Sequence, residues 1–490
     1  MFSIPMKSRI LFAITLAVSS LVQPLASAPD RVLDLGTRLE LFVDEFLIER
    51  ISGGAERRLH RPVPREVIMT FGDHGKPWES VVHYPTVIQD GDRMLLYYSG
   101  RFTTKSGGKG EVACVITSRD GIQFSRPELG LHDLSNLVEG YTTNNNIIWL
   151  TGAPTHHFTP FLDTNPNARP EERFKAIARH PKGKEVGGAL SGFTSPDGLR
   201  WKILDPDHGF ASSPTDSQNL GFWDPNRQAY VCYMRGRRPG GGKVRDVRIA
   251  TSPDFRSWTD PELIDYSDDR QEHLYTNGIR PYYRAPHLYI GTPNRFVPQR
   301  TRFSGEPRPG INDVIFMSSR DGKRFDRWAE AFLRPAPGGA AWSNRSYYPT
   351  ANTVQTSPTE LSLYWNENTM RPDMLMRRGT LRIDGFVSVR AGGTPGELLT
   401  RALRFSGDQL VVNFETSALG SLRCELTDAA GQPLPGFAMA ESEELFGNEI
   451  EQVVSWKSGS DLRRLRGQTV RLRVRLHDAD LYSIRFAAAP

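Results

Sequence analysis

The sequence predicts an all-β protein: a five-bladed β-propeller followed by a C-terminal antiparallel β-sandwich. Three observations carry this. A Ser-x-Asp-Gly-like motif followed by an aromatic recurs four times: Ser118, Asp120 and Gly121 with Phe124; Ser195, Asp197 and Gly198 with Trp201; Ser252, Asp254 and Phe255 with Trp258; Ser319, Asp321 and Gly322 with Phe325. Near-copies at similar spacing mean one structural unit repeated. Each copy follows a short β-branched run (112–117, 189–194, 247–251, 314–317), the composition of a strand. After Gly392-Gly393-Thr394-Pro395-Gly396 the pattern gives way to shorter alternating runs.

The motif reads as a hairpin between the two outer strands of a small sheet. Its Asp bonds nearby backbone amides, its Gly accepts positive φ, and its aromatic opens the returning strand. These aspartates are therefore expected to build turns, not to catalyse.

Taken in order, residues 1–28 read as a secretory signal: Lys7 and Arg9, an apolar run over 10–18, and Ala26-Ser27-Ala28 as a small-residue cleavage site. The apolar run is too short to span a bilayer, and no other segment qualifies. A secreted or periplasmic location is expected. Residues 29–75 form a lead-in segment, with a short strand over 41–44. The propeller is expected over 76–392. Blade one takes 84–90, 93–100, 112–118 and the strand after Phe124; blade two takes 146–150, 157–163, 174–179 and 189–194 with its return. Blade three takes 219–223, 229–235, 247–251 and the strand around Trp258; blade four takes 276–283, 287–292, 314–317 and the strand around Phe325. Blade five takes 347–354, 361–365, 374–378 and 386–390, with Asp384-Gly385-Phe386 as a degenerate motif. Residues 393–490 form the sandwich, expected as a packing module.

Composition narrows the function classes. The chain has 490 residues, 38% hydrophobic and 10% aromatic, with 44 Gly and 35 Pro, as suits many turns joining short strands. Lys and Arg number 61 against 56 Asp and Glu, interspersed, so no basic stripe points to nucleic acid. Three cysteines, Cys114, Cys232 and Cys424, support neither a disulfide framework nor a zinc site. Neither a metal nor another cofactor is expected. The Gly240-Gly241-Gly242 run lacks the following Lys of a phosphate loop and reads as a turn. A monomer is expected.

In a propeller, the innermost strand of each blade starts at the rim of the central pocket and the second strand returns to it, so polar residues there converge. At or before the first strands stand Glu79, His83, Asn145, Asp216, Glu272, His273 and Arg345; at the ends of the second stand Arg101, Asp163, Arg235, Arg295 and Glu367. His156 and His157 fall beside them, and His157 is expected to contact substrate rather than metal. Glycosidic cleavage needs paired carboxylates, one protonating the leaving oxygen and one attacking carbon or activating water. Glu79, Asp163, Asp216 and Glu272 are the candidate catalytic acids, with Asp216 favoured as general acid and Glu79 as nucleophile or base. His83, Arg101, Asn145, His157, Arg235, His273, Arg295, Arg345 and Glu367 are candidate substrate contacts. The arginines fit two readings equally: forks for an anionic ligand, or partners of neighbouring acids. Trp78, Tyr84, Tyr275, Tyr347 and Tyr348 fit sugar stacking and inter-blade core alike.

The five-unit pattern, with Tyr84-Pro85-Thr86-Val87-Ile88-x-Asp90-Gly91 opening blade one, resembles the five-bladed glycoside hydrolases of families 32, 43 and 68. The layout of propeller plus C-terminal sandwich is similar to family 32. The resemblance implies hydrolysis of glycosides with one pocket acid from each of the first three blades; by blade position Asp163 would be the second and Asp216 the third. The family 32 opening Trp-Met-Asn-Asp-Pro-Asn-Gly is absent, as are its Arg-Asp-Pro and Glu-Cys-Pro motifs, so fructan specificity does not carry over. The hairpins and arginines also resemble sialidases, which would put Tyr347 or Tyr348 with Glu367 and Arg345. A secreted glycoside hydrolase acting on a polysaccharide or oligosaccharide stands first on the residues; a non-catalytic glycan-binding propeller and a sialidase-like hydrolase stay open.

Overall fold

The computed structural model describes residues 32–489 except 151, 184–187, 213, 240–243, 303–308, 339 and 343–345. The expected leader, the triple glycine and Arg345 lie outside the described residues. Five sheets, each formed mainly from neighbouring stretches of chain, follow one another from residue 81 to 382. From inner to outer strand, the first holds Val81–Asp90, Arg93–Thr103, Lys109–Ser118 and Ile147–Trp149. The second holds Thr159–Leu162, Phe174–Arg179, Leu190–Ser195 and Lys202–Ile203. The third holds Leu220–Asp224, Ala229–Arg237, Arg245–Ser252 and Glu262–Leu263. The fourth runs through Arg280–Tyr282, Ala285–Gly291, Ile311–Ser319 and Arg324–Leu333. The fifth has Tyr348–Pro349 and Val354–Gln355 inside, then Glu360–Glu367, Leu375–Arg382 and Val63–Thr70.

The sheets close into a propeller because strand alternation gives each two apolar faces. On Arg93–Thr103, Met94, Leu96 and Tyr98 pack with Tyr364 and Met376 of the fifth sheet, while Leu95 and Tyr97 pack with Ala176 and Phe193 of the second. One core joins sheets two, three and four (Ile177, Val231, Ile315), and another joins four and five (Phe316, Leu363). The inner strand Val81–Asp90 touches both Thr159–Leu162 and Tyr348–Pro349, and Thr86 bridges Ala351, so the ring meets itself.

The repeated motif folds as its chemistry predicts. In the first copy Ser118 Oγ donates to Asp120 Oδ1 at 2.8 Å, and that oxygen accepts the amides of Ile122 and Gln123, each at 2.8 Å. The same net recurs at Asp197, Asp254 and Asp321. The glycine carbonyl then latches a neighbouring sheet: Gly121 accepts Tyr364 Oη at 2.7 Å, Gly198 accepts Tyr97 Oη at 3.0 Å and Gly322 accepts Tyr233 Oη at 2.5 Å. The third copy lacks the glycine. Phe255 takes its place at φ +62 and packs on Phe161 instead.

Three strands pair elsewhere than expected. The segment assigned to open blade two, 146–150, is the outer strand of the first sheet: Cys114 faces Ile147 and Ala113 faces Trp149. The strand expected to finish blade five, 386–390, belongs to Val387–Thr400, between Ile48–Leu59 and Arg471–Ala487 in the other sheet system. The fifth sheet is finished by Val63–Thr70 from the lead-in segment, with Leu375 facing Thr70 and Met376 facing Met69. The ring is thus closed by a strand that precedes its first blade.

Outside the propeller, the larger of two further sheets has six strands in the order Ile48–Leu59, Val387–Thr400, Arg471–Ala487, Gln409–Thr427, Asn448–Val453, with Leu39–Leu41 on Arg471–Ala487. Its two longest strands bend over Leu398, Val412, Cys424, Trp456 and Val474, a core of their own. Residues 39–41 and 48–59 therefore belong with the C-terminal sheet, and Leu33–Gly36 pairs in parallel with Leu403–Phe405 beside it. Two ion clusters pin it to the propeller. Buried Asp384 accepts Tyr282 Oη at 2.7 Å, Arg284 Nε at 3.1 Å and Ser483 Oγ at 2.8 Å. Arg320 of the fourth sheet reaches Asp44 at 2.6 Å and Glu40 at 2.9 Å. All three cysteines are buried and unpaired. Among the described residues no helix is long and apolar enough to cross a membrane.

Candidate functional site

Five inner strands begin at one end of the propeller axis, and the antiparallel second strands end there. Val81 faces Arg101, Leu220 faces Tyr233, and Tyr348 faces Asn366. The first inner strand is interrupted at this end. His83 faces Ser99 and Thr86 faces Tyr97, so Tyr84 and Pro85 together oppose one residue. Tyr84 sits at φ +52, a left-handed conformation uncommon for an aromatic, of the kind held at functional sites by surrounding structure. Its ring centre lies 5.5 Å from Tyr348, 5.7 Å from His83 and 5.5 Å from His156, and its hydroxyl is 3.2 Å from that of Tyr275. Burial first, then Tyr275 and Tyr348 beside it, push the Tyr84 phenol well above its ordinary value, so it stays neutral.

Beside this aromatic floor His156 links two carboxylates. Its Nδ1 is 2.8 Å from Glu111 Oε1 and its Nε2 is 3.2 Å from Asp216 Oδ1. Arg101 donates to the same Glu111 oxygen at 2.8 Å, and Arg235 lies 3.4 Å from Asp216 Oδ2. Burial works against charge on His156, but its bonds to Asp216 and Glu111 outweigh that and raise its pKa. The His156 hydrogen bond in turn lowers Asp216, helped by Arg235. These bonds favour charge on His156 and on both carboxylates, while Arg101 Nη2, 2.8 Å from the same Nδ1, works against it. Asp216 keeps 66% of its side chain exposed, while His156 keeps 15%. Next to it, burial and the charges of His156 and Arg179 push His157 down to about 3, so it is neutral. Its Nε2 is buried with no hydrogen-bond partner among the described residues. Arg245 and Arg235 stand over the Tyr275 ring at 5.4 and 5.9 Å, and Arg245 lies 3.1 Å from His273 Nδ1.

The structure gathers His83, Arg101, His157, Asp216, Arg235 and His273 around this floor. It spends the other expected residues elsewhere. Glu79 is fully buried, with Oε2 2.6 Å from Arg126 and 3.0 Å from the Lys76 amide, and Oε1 accepting Tyr98 Oη. Both its oxygens serve the core between sheets one and five. Asp163 binds Lys175 at 2.7 Å and Tyr230 at 2.8 Å. The reassignment of 147–149 explains this: Thr159–Leu162 is a first strand, so Asp163 follows its far end. Asn145 precedes an outer strand and ties a loop, donating to His132 O at 2.8 Å. Glu272 and Arg295 pair at 3.0 Å within a network with Asp313, Arg270 and Arg327. Glu367 accepts Trp365 Nε1 at 2.9 Å and Arg377 Nε at 2.8 Å. Tyr347, the other half of the sialidase-like pairing, has its oxygen bonded to the Ala336 amide at 2.6 Å. The favoured role of Asp216 also changes: a carboxylate held ionised by His156 is a base, nucleophile or electrostatic partner, not a general acid.

Glu111 and Arg245 were missed for one reason. They start third strands, which leave from the same end to which second strands return: Arg101 faces Glu111 and Arg237 faces Arg245. His156 was visible as half of a histidine pair, but its role depends on Glu111 and Asp216, 45 and 60 residues away. Among the described residues no group of three or more His, Cys, Asp or Glu is placed to hold a metal ion.

No family model and no curated protein matches this chain. Solved structures do. An N-acetylgalactosamine deacetylase from F. plautii, in complex with blood group B trisaccharide, is similar at TM-score 0.43 and 13% identity, over 67% of this chain and 94% of that one. The catalytic domain of the Coprinopsis cinerea GH62 α-L-arabinofuranosidase gives TM-score 0.41 and 12% identity over 66% and 97%. A glycosyl hydrolase from Bacteroides ovatus gives 0.38 and 12% over 71% and 94%.

Proposed function

We propose that the centre at the strand starts binds a carbohydrate and hydrolyses a glycosidic bond, with Asp216 as the ionised carboxylate and His156 as the group that positions it. One observation carries this reading: Asp216 is the exposed member of a Glu111–His156–Asp216 chain beside a strained, tyrosine-lined floor. A carboxylate at the mouth suits an oxocarbenium-like transition state, and the buried rings of Tyr84, Tyr275 and Tyr348 pack on one another as a rigid floor beneath it. Three guanidinium groups and one imidazolium stand against two carboxylates here, which favours an anionic sugar. An exported location fits and rests on the leader-like residues 7–28.

A second reading, glycan binding without cleavage, is favoured by the fate of the other acids. Glu79, Asp163, Glu272 and Glu367 are each held by a cation. A glycan panel read for released reducing ends separates the two. Release by the wild type that is lost in Asp216→Asn supports hydrolysis. Saturable glycan binding with no release by either protein rejects it in favour of binding. Sulfated and desulfated forms of the bound glycan, compared as salt rises, test the charge preference; equal affinities refute an anionic substrate.

A further inference from the structure

The opposite end of the same axis holds a cavity of about 670 Å³. All five inner strands contribute their later residues to it: Ile88 and Gln89, Phe161 and Leu162, Phe222 and Trp223, Tyr282 and Tyr283, Val354 and Gln355. It is walled off from the Tyr84 centre by a polar waist. Gln218 Nε2 donates to Pro85 O at 3.0 Å and to Thr86 Oγ1 at 3.1 Å, and the Ala351 amide donates to the same Pro85 carbonyl at 3.0 Å. The volume lies within the range of small-molecule sites, and the lining is mostly aromatic, aliphatic and proline.

One charged side chain lines it, Arg280. Its guanidinium donates to the Gly221 carbonyl and lies 5.2 Å over the Phe222 ring. Among the described residues no carboxylate pairs with it, although arginines elsewhere on the propeller rims meet acids. A cation desolvated by aromatic walls without a counter-charge is costly, and burial lowers its pKa to about 9. The wall also carries Asn352 at φ +114, a strained conformation that surrounding structure must enforce. Tyr283, half exposed at the mouth, bonds Gln355 at 2.8 Å and forms a flat rim.

We propose that this far mouth is a second binding site, which takes a small organic anion, a carboxylate or sulfonate on a flat apolar body. The anion pairs with Arg280, and the body packs between Phe161, Trp223 and Tyr283. The proposal is independent of the chemistry at Asp216.

Calorimetric titration with 1-naphthoate, against uncharged 1-naphthalenemethanol, tests it on the full chain. Saturable one-site binding of naphthoate is expected, at least tenfold tighter than the alcohol and weakened at least tenfold in Arg280→Gln. Because Arg280 also supports Gly221, Tyr283→Ala serves as a second variant at an exposed position and is expected to weaken naphthoate at least threefold. Asp216→Asn is expected to leave naphthoate binding unchanged. Equal affinities for the two probes, no saturable binding, indifference to both Arg280→Gln and Tyr283→Ala, or loss of binding in Asp216→Asn would each overturn the second site. Glycan release can fail while these results hold, and the reverse.

Discussion

His156 Nε2 lies 3.2 Å from Asp216 Oδ1, and the ring's other nitrogen lies 2.8 Å from Glu111 Oε1. One imidazole therefore couples two carboxylates, each of which also meets an arginine, Arg101 at Glu111 and Arg235 at Asp216, and the charge of the site is shared among these five groups.

Removing the exposed end of this chain separates chemistry from folding. Asp216→Asn should lower glycoside turnover by about 10²–10⁴-fold, the scale of a lost acid-base or charge-stabilising group. Its side chain is largely in solvent, so the melting temperature should move little. A loss of activity matched by a comparable loss of folded protein would contradict the assignment.

The pH dependence has a definite sign. His156 is raised in the folded protein, so its ion pairs are present below the ordinary histidine value and are lost as pH climbs through the folded value, above about 6.5. Asp216 and Glu111 are lowered, so their contribution is present above the ordinary carboxylate range and is lost only as pH falls below it. Activity should hold from weakly acidic to neutral pH and decline on the alkaline side. His156→Gln should abolish that alkaline limb in a kcat/KM profile; an unchanged limb assigns it to another group.

Glu79 makes the opposite prediction. With both oxygens held by Arg126, Tyr98 and the Lys76 amide, Glu79→Gln leaves a guanidinium without its counter-charge. The cost is about 2–3 kcal/mol, below the range for fully buried pairs because Arg126 keeps an edge in solvent. Urea unfolding should show that loss, while activity per folded molecule stays at the wild-type value. A turnover defect at full stability would return Glu79 to the catalytic set.

The tyrosine latches test the propeller itself. Tyr97→Phe removes the hydroxyl that Gly198 accepts and should cost about 0.5–1.5 kcal/mol. Gly198→Ala should cost more, about 1–3 kcal/mol, because φ is +77 and a Cβ would meet Tyr97 Oη at 2.6 Å. Denaturant midpoints check both; a neutral Gly198→Ala would mean the close approach is not enforced.

What was legible in the sequence was what local chemistry dictates. The Ser-x-Asp-Gly hairpins came from side chains that bond amides two and three residues on, and the apolar run over 93–100 was legible as a strand. The rim rule placed His83, Arg101, Asp216, Arg235 and His273 because it needs only the start and end of adjacent strands. What failed was non-local. Val63–Thr70 pairs with a strand some 310 residues later, and nothing in its own residues names that partner. One misplaced strand, 147–149, was enough to exchange the two ends of the second sheet's first strand and to carry Asp163 to the wrong rim.

The amino-acid order by itself determined the repeating hairpins and the all-β character, because those follow from turn chemistry and side-chain alternation within a few residues. Only the tertiary structure decided which strand closes the ring, which acids are consumed by arginines in the core, and that Glu111, His156 and Asp216 meet. Those outcomes depend on hydrogen bonds and ion pairs between residues far apart in the chain, whose geometry exists only once the sheets have packed.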